Sequence, residues 1–236
     1  MTTVVTALNR IARQVSVSTP SSWVTATADE HVEIRDDFLK ETVADIAARV
    51  DLPYPMSDTR TYAGSGDTTY SLPDHFVRLQ SGDLAVYDVA QQRGCVQIGS
   101  IGEWTDIATR GVTGSVKYFR ITGYHQEFSI EFLEALTSEV VVSYVSEVWK
   151  VSSAGVNGFT FSDEDDVLLM PREVVEAGVV WRWRERKGLP FDAKYAEYEA
   201  LIAKLSNRSR GMRAVNMGER KTARWQDMIP AYIPAS

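Results

Sequence analysis

Residues 170–205 read MPREVVEAGVVWRWRERKGLPFDAKYAEYEALIAKL and predict two helices joined by one tight turn. Pro171 suits the first turn of a helix, because its missing N–H would have no partner there. Gly188 suits the left-handed residue that follows a helix, and Pro190 does not continue that helix. Asp192 suits the N-cap of the second helix. Since a short link makes two helices antiparallel neighbours, we expect the rest of the chain to pack on this hairpin or be inserted before it.

Two further helices are predicted near the N-terminal end. The first is indicated by apolar residues at spacings of four, three and four, which lie on one helix face. The second is predicted over residues 29–50, and Pro53 and Pro55 end it. A polar connector, residues 16–28, joins the two. The apolar residues of the first helix are Val4, Leu8, Ile11 and Val15.

The period of the sequence changes between residues 59 and 151. Glycines become frequent there, and short runs of Val, Ile, Thr, Tyr and Phe predict a β region of six to eight strands. Three of these strands are predicted over residues 118–122, 127–132 and 140–151. Residues 64–67 (GSGD) are more typical of a hairpin turn than of a phosphate-binding loop.

These patterns predict an α+β fold. The N-terminal and C-terminal helices would form a helical bundle, and an antiparallel β domain would be inserted into it. The predicted parts are residues 1–58 (N-terminal helices), 59–160 (inserted β domain), 161–208 (C-terminal helical hairpin) and 209–236 (an extended tail).

Six side chains of the hairpin are predicted to lie in the bundle core or at an interface between subunits. Trp181 and Trp183 are two residues apart, so they do not share one helix face. We expect one of them to anchor the bundle and the other to face a neighbouring subunit or the β domain. The six are Trp181, Trp183, Tyr195, Tyr198, Leu201 and Leu205.

Charge is unevenly spread along the 236 residues. The 25 Lys and Arg residues and 32 Asp and Glu residues give a formal net charge of −7, which disfavours a general role in nucleic-acid binding. From residue 206 to residue 236, five Arg and one Lys stand against one Glu and one Asp, a balance of +4, so the remainder carries −11. No run of about 18 apolar residues occurs, so we expect no membrane span and no membrane partner.

Residues 209–236 are predicted to be an extended docking tail. Pro230 and Pro234 resist helix formation, and the Arg, Met and aromatic residues are types enriched in protein interfaces. The arginines could also contact DNA phosphates. The tail has too little apolar surface to fold by itself, so we expect it to become ordered on a protein partner. The predicted docking residues are Arg213, Arg220, Lys221, Arg224, Trp225, Met228, Ile229, Tyr232 and Ile233.

The sequence predicts no catalytic residue, metal or cofactor. The acidic run 163–166 (DEDD) could bind a hard cation, but it lacks the glycine and distal glutamate of a calcium loop. It is more typical of a charged approach to the positive end of the next helix. His31, His75 and His125 lie far apart and match no metal motif. Cys95 is the only cysteine, and nothing near it in sequence suggests a nucleophile.

Two other function classes stay open. A cell-wall-degrading enzyme needs two carboxylates that face each other across a cleft, and 32 acidic residues leave room for such a pair. A glycan-binding module could use Trp104 and Trp149 as a stacking platform, although such aromatic side chains more often lie in cores or interfaces.

Several short motifs follow one another along the chain. Residues 70–79 (YSLPDHFVRL) carry a Tyr-x-Leu-Pro-x-x-Phe pattern, and residues 118–123 and 139–149 resemble a paired β segment that ends in a Tyr-containing strand. An acidic loop and a closing helix follow, over residues 161–188. The last helix and the tail carry Tyr195 and Tyr198 and then Ser-Arg-Gly at 209–211. In this order, the motifs resemble the head-to-tail adaptor (connector) proteins of tailed bacteriophages and related gene-transfer particles.

The resemblance implies a structural role without catalysis. Proteins of this family form a ring in the neck of the virion, with the portal above and the next tail or neck component below. It implies a homo-oligomeric ring, twelve-fold to match the portal, that assembles in the host cytoplasm. The C-terminal docking tail of each copy would bind the portal. DNA would pass through the channel without sequence-specific binding, and acidic walls would repel it.

Overall fold

In this computed structural model, the described residues are 2–216 except 54, 112, 113, 115, 125 and 126, with side chains described as far as residue 207. The protein is a mixed α+β structure with several antiparallel sheets. The helical segments are α1 (Val4–Gln14), α2 (Asp29–Val32), a π-helical segment (Glu33–Phe38), α3 (Leu39–Arg49), α4 (Ile101–Arg110), α5 (Arg172–Arg186) and α6 (Asp192–Asn216). The strands are β1 (Ser57–Tyr62), β2 (Thr69–Ser71), β3 (Phe76–Leu79), β4 (Val86–Asp88), β5 (Arg93–Gly94), β6 (Val96–Gln97), β7 (Tyr118–Tyr124), β8 (Glu127–Phe132), β9 (Val140–Ser146), β10 (Lys150–Val151), β11 (Asn157–Gly158) and β12 (Val167–Leu168).

Helices from both ends of the chain share one hydrophobic cluster. α1, α3 and α6 each contact α5. The predicted inner face of α1 is confirmed, because Val4, Leu8 and Ile11 are buried. Trp23 reaches the same cluster from the polar connector, and its indole N–H donates to Asn9 Oδ1 at 2.7 Å. The connector is therefore tied to the helices at one point.

The helix predicted over residues 29–50 forms, with one irregularity. α2, the π-helical segment and α3 follow one another without a break from Asp29 to Arg49. The π-helical segment buries Ile34 and Phe38 in the helical cluster. Pro53 lies beyond the helix end, as the sequence indicates.

The turn between α5 and α6 is closed as the sequence predicts. The Leu189 N–H donates to the Arg184 carbonyl at 2.8 Å, and the Gly188 N–H donates to the Glu185 carbonyl at 3.0 Å. Gly188 has a φ of +66°, so this is a Schellman motif. Asp192 is the first residue of α6 and not its N-cap, because the carbonyl of Phe191 already accepts backbone N–H groups of the first turn.

α6 is longer than the sequence predicts. It continues to Asn216, so the expectation of extended chain is wrong over residues 209–216. Apolar periodicity fades beyond Leu205, but residues 206–216 contain Arg, Ala and Met, which favour helix without a buried face. Residues 217–236 lie outside the described part of the chain.

The β region forms two larger sheets around a second hydrophobic cluster. In the five-stranded sheet the order is β1-β9-β4-β5, and β3 also pairs with β9. In the four-stranded sheet the order is β2-β8-β7-β6. The β6–β7 pair is parallel, so the β region is not wholly antiparallel as predicted. A third sheet, β11-β10-β12, lies next in sequence to the helical hairpin.

The predicted strands agree with the structure in part. The strand over residues 127–132 is β8, and the strand over 118–122 is extended to Tyr124 as β7. The predicted strand over 140–151 is interrupted between β9 and β10, where Trp149 turns into the helical core. Helix α4 was not predicted, because glycines on both sides of it resemble turn signals.

The prediction of a hairpin turn at residues 64–67 is wrong. β1 pairs with β9, whereas β2 pairs with β8 in the other sheet. The segment between β1 and β2 therefore crosses from one sheet to the other. The Gly66 N–H donates to the Leu136 carbonyl at 2.9 Å and holds the crossing in place.

Gly178 marks the closest approach between helices from the two ends of the chain. A Cβ at this position of α5 would lie against Thr42 Cγ2 of α3 and 2.9 Å from Tyr198 Cε2 of α6. Gly102 is also helical, in α4, but its Cβ would meet Ser100 Oγ only at 3.7 Å. Replacing each glycine by alanine therefore compares a tightly packed helix position, Gly178, with an open one, Gly102.

We expect Gly178→Ala to lower the free energy of unfolding by about 1–3 kcal/mol, because the methyl group overpacks the helix contact. The matched control, Gly102→Ala, should raise it by about 0.5–1 kcal/mol through helix propensity. Urea unfolding followed by circular dichroism measures both. Stabilisation by both substitutions would show that α3, α5 and α6 are not closely packed at Gly178.

Candidate partner-binding surfaces

The most deeply buried ion pair connects the third sheet to the acidic run. Lys150 Nζ donates to Asp166 Oδ2 at 2.8 Å, and the same oxygen accepts the backbone N–H groups of Ser162 and Asp163. Burial acts to raise the pKa of Asp166, but these donors outweigh it and hold the pKa below its ordinary value. The Val4 N–H donates to the Asp166 carbonyl, so this residue also anchors α1.

The acidic run has structural contacts of its own. Glu164 accepts hydrogen bonds from Ser22 Oγ at 2.6 Å and from the Val24 N–H at 3.0 Å, which fastens the connector. Asp163 Oδ1 accepts the Asp165 N–H at 3.0 Å. Within the described residues, no group of three or more His, Cys, Asp or Glu side chains is arranged to hold a metal ion. The run therefore joins the connector to the loop before β12.

A second buried carboxylate, Asp88 at the end of β4, is also held in place. It accepts hydrogen bonds from Lys117 Nζ and from the backbone N–H groups of Ala90 and Gln91. Burial acts to raise its pKa, but the ammonium and the two N–H donors hold the pKa below its ordinary value. Asp166 and Asp88 thus remain charged partners of lysines and stabilise loops. Burial instead raises the pKa of Glu176, a third buried carboxylate.

His31, His75 and Cys95 each have separate surroundings. His31 contacts the Ser18 carbonyl at 2.7 Å, and His75 Nε2 lies 3.1 Å from Tyr144 Oη. Burial, with the nearby Asp58 carboxylate as a smaller cause, raises the pKa of Tyr144 to about 12. Burial raises the pKa of the Cys95 thiol to about 11, which keeps it protonated and weakly nucleophilic. His125 lies outside the described residues.

Neither tryptophan considered as a glycan platform presents an open face. Trp104 of α4 is buried, and the Arg120 guanidinium lies 4.5 Å from its ring centroid. Trp149 is buried in the helical cluster, and its indole N–H donates to the Phe159 carbonyl at 2.8 Å. Both side chains thus have core positions, in agreement with the commoner interpretation of such residues.

The two tryptophans of α5 lie in different surroundings. Trp183 is 4% exposed and makes an edge-to-face contact with Phe38, at a centroid distance of 6.1 Å. Trp181 is half-buried against α6, where its ring lies 5.1 Å from that of Tyr195. Trp183 therefore has the anchoring position that the sequence predicts for one of the pair. Among the described residues, the aromatic partners of Trp181 are Phe191, Tyr195 and Tyr198, which belong to the helical hairpin.

The predicted residues of α6 range from buried to exposed. Tyr198 is fully buried, and its hydroxyl donates to Asp45 Oδ2 of α3 at 2.6 Å. Leu201 and Leu205 are half-buried beside the helical cluster, whereas Tyr195 is 43% exposed. The second half of this hairpin thus has a partly open aromatic surface.

Most of the predicted docking tail lies beyond the described residues. Arg213 belongs to α6, so its backbone is helical. The other residues of this prediction lie outside the described part of the chain, namely Arg220, Lys221, Arg224, Trp225, Met228, Ile229, Tyr232 and Ile233.

An open cleft of about 810 Å³ separates the two larger sheets. β3, the following loop and β4 form one wall, and β6, β7 and the start of β8 form the other. Of its residues, Leu84 is 51% exposed, and Val96 is also exposed. The cleft is mainly apolar and is lined by Phe76, Leu79, Leu84, Val96, Ile121 and Phe128, among others. No local sequence pattern indicates this cleft, because its lining comes from strands that are distant in sequence.

Comparisons with known proteins leave the family open. No family model matches this chain, and no curated protein matches it. In the part of the chain that the structure describes, no helix has both the length and the apolar character needed to cross a membrane.

We predict that Trp183→Ala lowers the free energy of unfolding by about 3–5 kcal/mol, because it opens a cavity in the helical cluster. Trp181→Ala should cost clearly less, since that ring is half-buried. Thermal unfolding of the two single variants measures the difference. Equal and negligible shifts in both variants would show that the hairpin is not the organising core.

A second prediction concerns how the free energy of unfolding changes as pH falls. Because the folded-state pKa of Asp166 is lowered, its contribution to stability is present above the unfolded pKa of about 3.9 and is lost as pH falls through the folded value. Asp166→Asn should cost about 3–5 kcal/mol near pH 7, since Lys150 stays buried without its partner. Urea unfolding between pH 7 and pH 3 should show a shallower loss of stability for this variant than for the natural chain.

The matched control is Lys150→Met combined with Asp166→Asn, which removes both charges and keeps an oxygen for the backbone donors. We expect this double variant to recover part of the stability at pH 7. Parallel pH profiles for the natural chain and Asp166→Asn would contradict the assigned role of the pair.

Proposed function

We propose that the protein is a structural adaptor of the head-to-tail connector type. In this proposal, copies of the chain form a homo-oligomeric ring in the neck of a virion, between the portal and the next tail or neck component. The ring lines the passage through which DNA leaves the capsid. The order of sequence motifs from Tyr70 to Gly211 supports the proposal, and so do three features of the structure.

The first feature is the arrangement of the two hydrophobic clusters. One contains α1, the π-helical segment, α3, α5 and α6, and the other contains strands of the two larger sheets. We interpret them as a helical bundle built from both ends of the chain and a β domain inserted into it. Such a body offers separate surfaces to a neighbour on each side and to components above and below.

The second feature, which carries the proposal, is the long C-terminal helix. Its 25 residues correspond to roughly 37 Å of helix. Among its described side chains, the buried ones are Tyr198 and Ile202, both in its first half. Twenty residues follow Asn216 and supply up to about 70 Å of extended chain. In the proposal, the basic and aromatic residues that follow this helix in sequence form a docking arm.

The third feature is charge. The chain without residues 206–236 carries a formal charge of −11, while those residues carry +4. An acidic ring repels DNA and lets it pass, and the basic arm seeks an acidic rim on its partner. In the proposal that partner is the portal, with twelve copies of the adaptor matching its symmetry.

The rival classes receive less support. A cell-wall-degrading enzyme needs two carboxylates across a cleft, and the cleft between the sheets is lined by one, Asp83. A pocket lined by Glu173, Glu176 and Glu197 has a volume of only about 170 Å³, below the roughly 300–1,000 Å³ of ligand pockets. A glycan-binding module based on Trp104 and Trp149 would need exposed rings. Zymography on peptidoglycan tests the enzyme directly, and lysis lost on changing one carboxylate would overturn the structural proposal.

The proposal predicts that truncation after Asn216 leaves the body folded and abolishes attachment to portal-bearing heads. The reason is that the body keeps α6 and its core contacts while the arm is lost. Circular dichroism measures folding, and co-sedimentation with heads measures attachment. Because many weak arms act together in a ring, the natural chain should bind far more tightly than one arm alone.

A matched control for this truncation is the full chain with Arg220→Gln and Arg224→Gln. It should bind more weakly and with a smaller salt dependence, because it keeps the apolar residues of the arm and loses two charges. Unchanged affinity and salt dependence after truncation would show that the body carries the interface.

A further inference from the structure

A hairpin of the third sheet has one exposed apolar side chain near its tip and another just beyond its second strand. β10 and β11 pair from Lys150 to Gly158, and the Ser152 N–H donates to the Val156 carbonyl at 2.9 Å across the tip. Val156 is 64% exposed and Phe159 is 53% exposed. The hydrogen bonds at the tip give this hairpin a defined shape.

The base of the hairpin is firmly held. The Trp149 indole N–H donates to the Phe159 carbonyl, and the Lys150 ammonium is bound to Asp166. β10 also pairs with β12 on its other side, so β11 is left as an edge strand. The hairpin is therefore anchored in the helical body and presents one strand edge outward.

Beyond Lys150, the hairpin and the residues that follow it carry no charged side chain. Residues 151–162 (VSSAGVNGFTFS) contain no Asp, Glu, Lys or Arg, in a chain in which 24% of residues are charged. Exposed strand edges in soluble proteins are usually protected by charged residues. A depletion of charged residues is typical of interface cores. An exposed, uncharged hairpin with apolar side chains is thus suited to a protein partner.

The cleft between the two larger sheets has the complementary properties. Its charged lining residues are Arg78 and Asp83, and Arg78 is already held by Asp51 at 2.9 Å. Leu84 and Val96 leave apolar surface open at the cleft. The remaining lining is mostly apolar and suits an uncharged segment.

One wall of the cleft also has an open strand edge. The carbonyls of Lys117 and Phe119 accept the N–H groups of Val96 and Ile98, so β6 lies on this side of β7. β6 pairs with β7 only at Tyr118 and Phe119. From Ile121 to Gly123, this side of β7 has no strand partner within the described part of the chain. A strand from another chain can add there by β-augmentation.

We infer that the hairpin of one copy inserts into the cleft of the next copy and pairs β11 with the open edge of β7. Val156 would then contact the apolar lining near Leu84 and Val96. The inference rests on the proposed ring, because it names the contact between neighbouring subunits.

We take a second copy of this chain as the occupant of the cleft, because every copy carries both the hairpin and the cleft, on different surfaces. The hairpin belongs to the sheet β11-β10-β12, and the cleft belongs to the other two sheets. A contact between two different surfaces is heterologous, and repeated heterologous contacts close into rings when the rotation allows it. A hairpin tip is smaller than a standard interface of about 800 Å² per partner, so ring closure has to multiply a weak contact.

Cysteine cross-linking of the full-length chain tests this contact. One variant carries Val156→Cys and a second carries Leu84→Cys, and the two are mixed under mild oxidation. Because the natural Cys95 also lines the cleft, every chain in the experiment, including the control, carries Cys95→Ala. We expect disulfide-linked dimers to form about tenfold faster than in the control mixture of Val24→Cys and Leu84→Cys, because docking raises the effective concentration of the two thiols.

A chain with both Val156→Cys and Leu84→Cys should give a ladder of linked oligomers that ends at the ring. Cross-linking no faster than the control, or dominated by pairs of Val156→Cys chains, would overturn the inference. Attachment of the natural chain to portal-bearing heads is measured in parallel. If heads bind a ring and the ladder is absent, the hairpin contact fails and the adaptor proposal stands. If the ladder forms and heads bind nothing, the contact stands and the adaptor proposal fails.

Discussion

The structure depends on the close contact of three helices at Gly178. The absence of a side chain there lets α5 lie directly against Thr42 of α3 and Tyr198 of α6. Around this contact, Arg182 donates to Thr42 Oγ1 at 3.1 Å, and the Tyr198 hydroxyl binds Asp45. α3 and α5 are more than 100 residues apart in sequence, and most of the strands lie between them along the chain.

Two residues of the acidic run 163–166, which in the sequence resembles a cation site, instead hold separate parts of the chain together. Asp166 binds the Lys150 ammonium and its carbonyl accepts the Val4 N–H, while Glu164 fastens the connector through Ser22. The same joint anchors the uncharged hairpin after Lys150. Acidic residues next to a helix therefore stabilise the body here, and the surfaces suited to partners are apolar and lie elsewhere.

Sequence patterns predicted the local elements better than their connections. Gly188 marked the end of α5, and alternating residues marked β8, because both signals act within a few residues. The parallel pair β6–β7 and the crossing at residues 64–67 depend on contacts between distant strands, which no local pattern encodes. The cleft escaped prediction for the same reason. α6 ran past its expected end because helix propensity continued after its apolar face had ended. The tail was predicted from composition, and it stays a prediction.

The central claim is that copies of this chain form a closed ring on a portal. Electron microscopy of the full-length protein mixed with its cognate portal tests that claim most directly. The account predicts a continuous ring coaxial with the portal, with the copy number of the portal and a central opening wide enough for duplex DNA. Portal particles that look the same with and without saturating protein, while the protein stays as single copies, would contradict it.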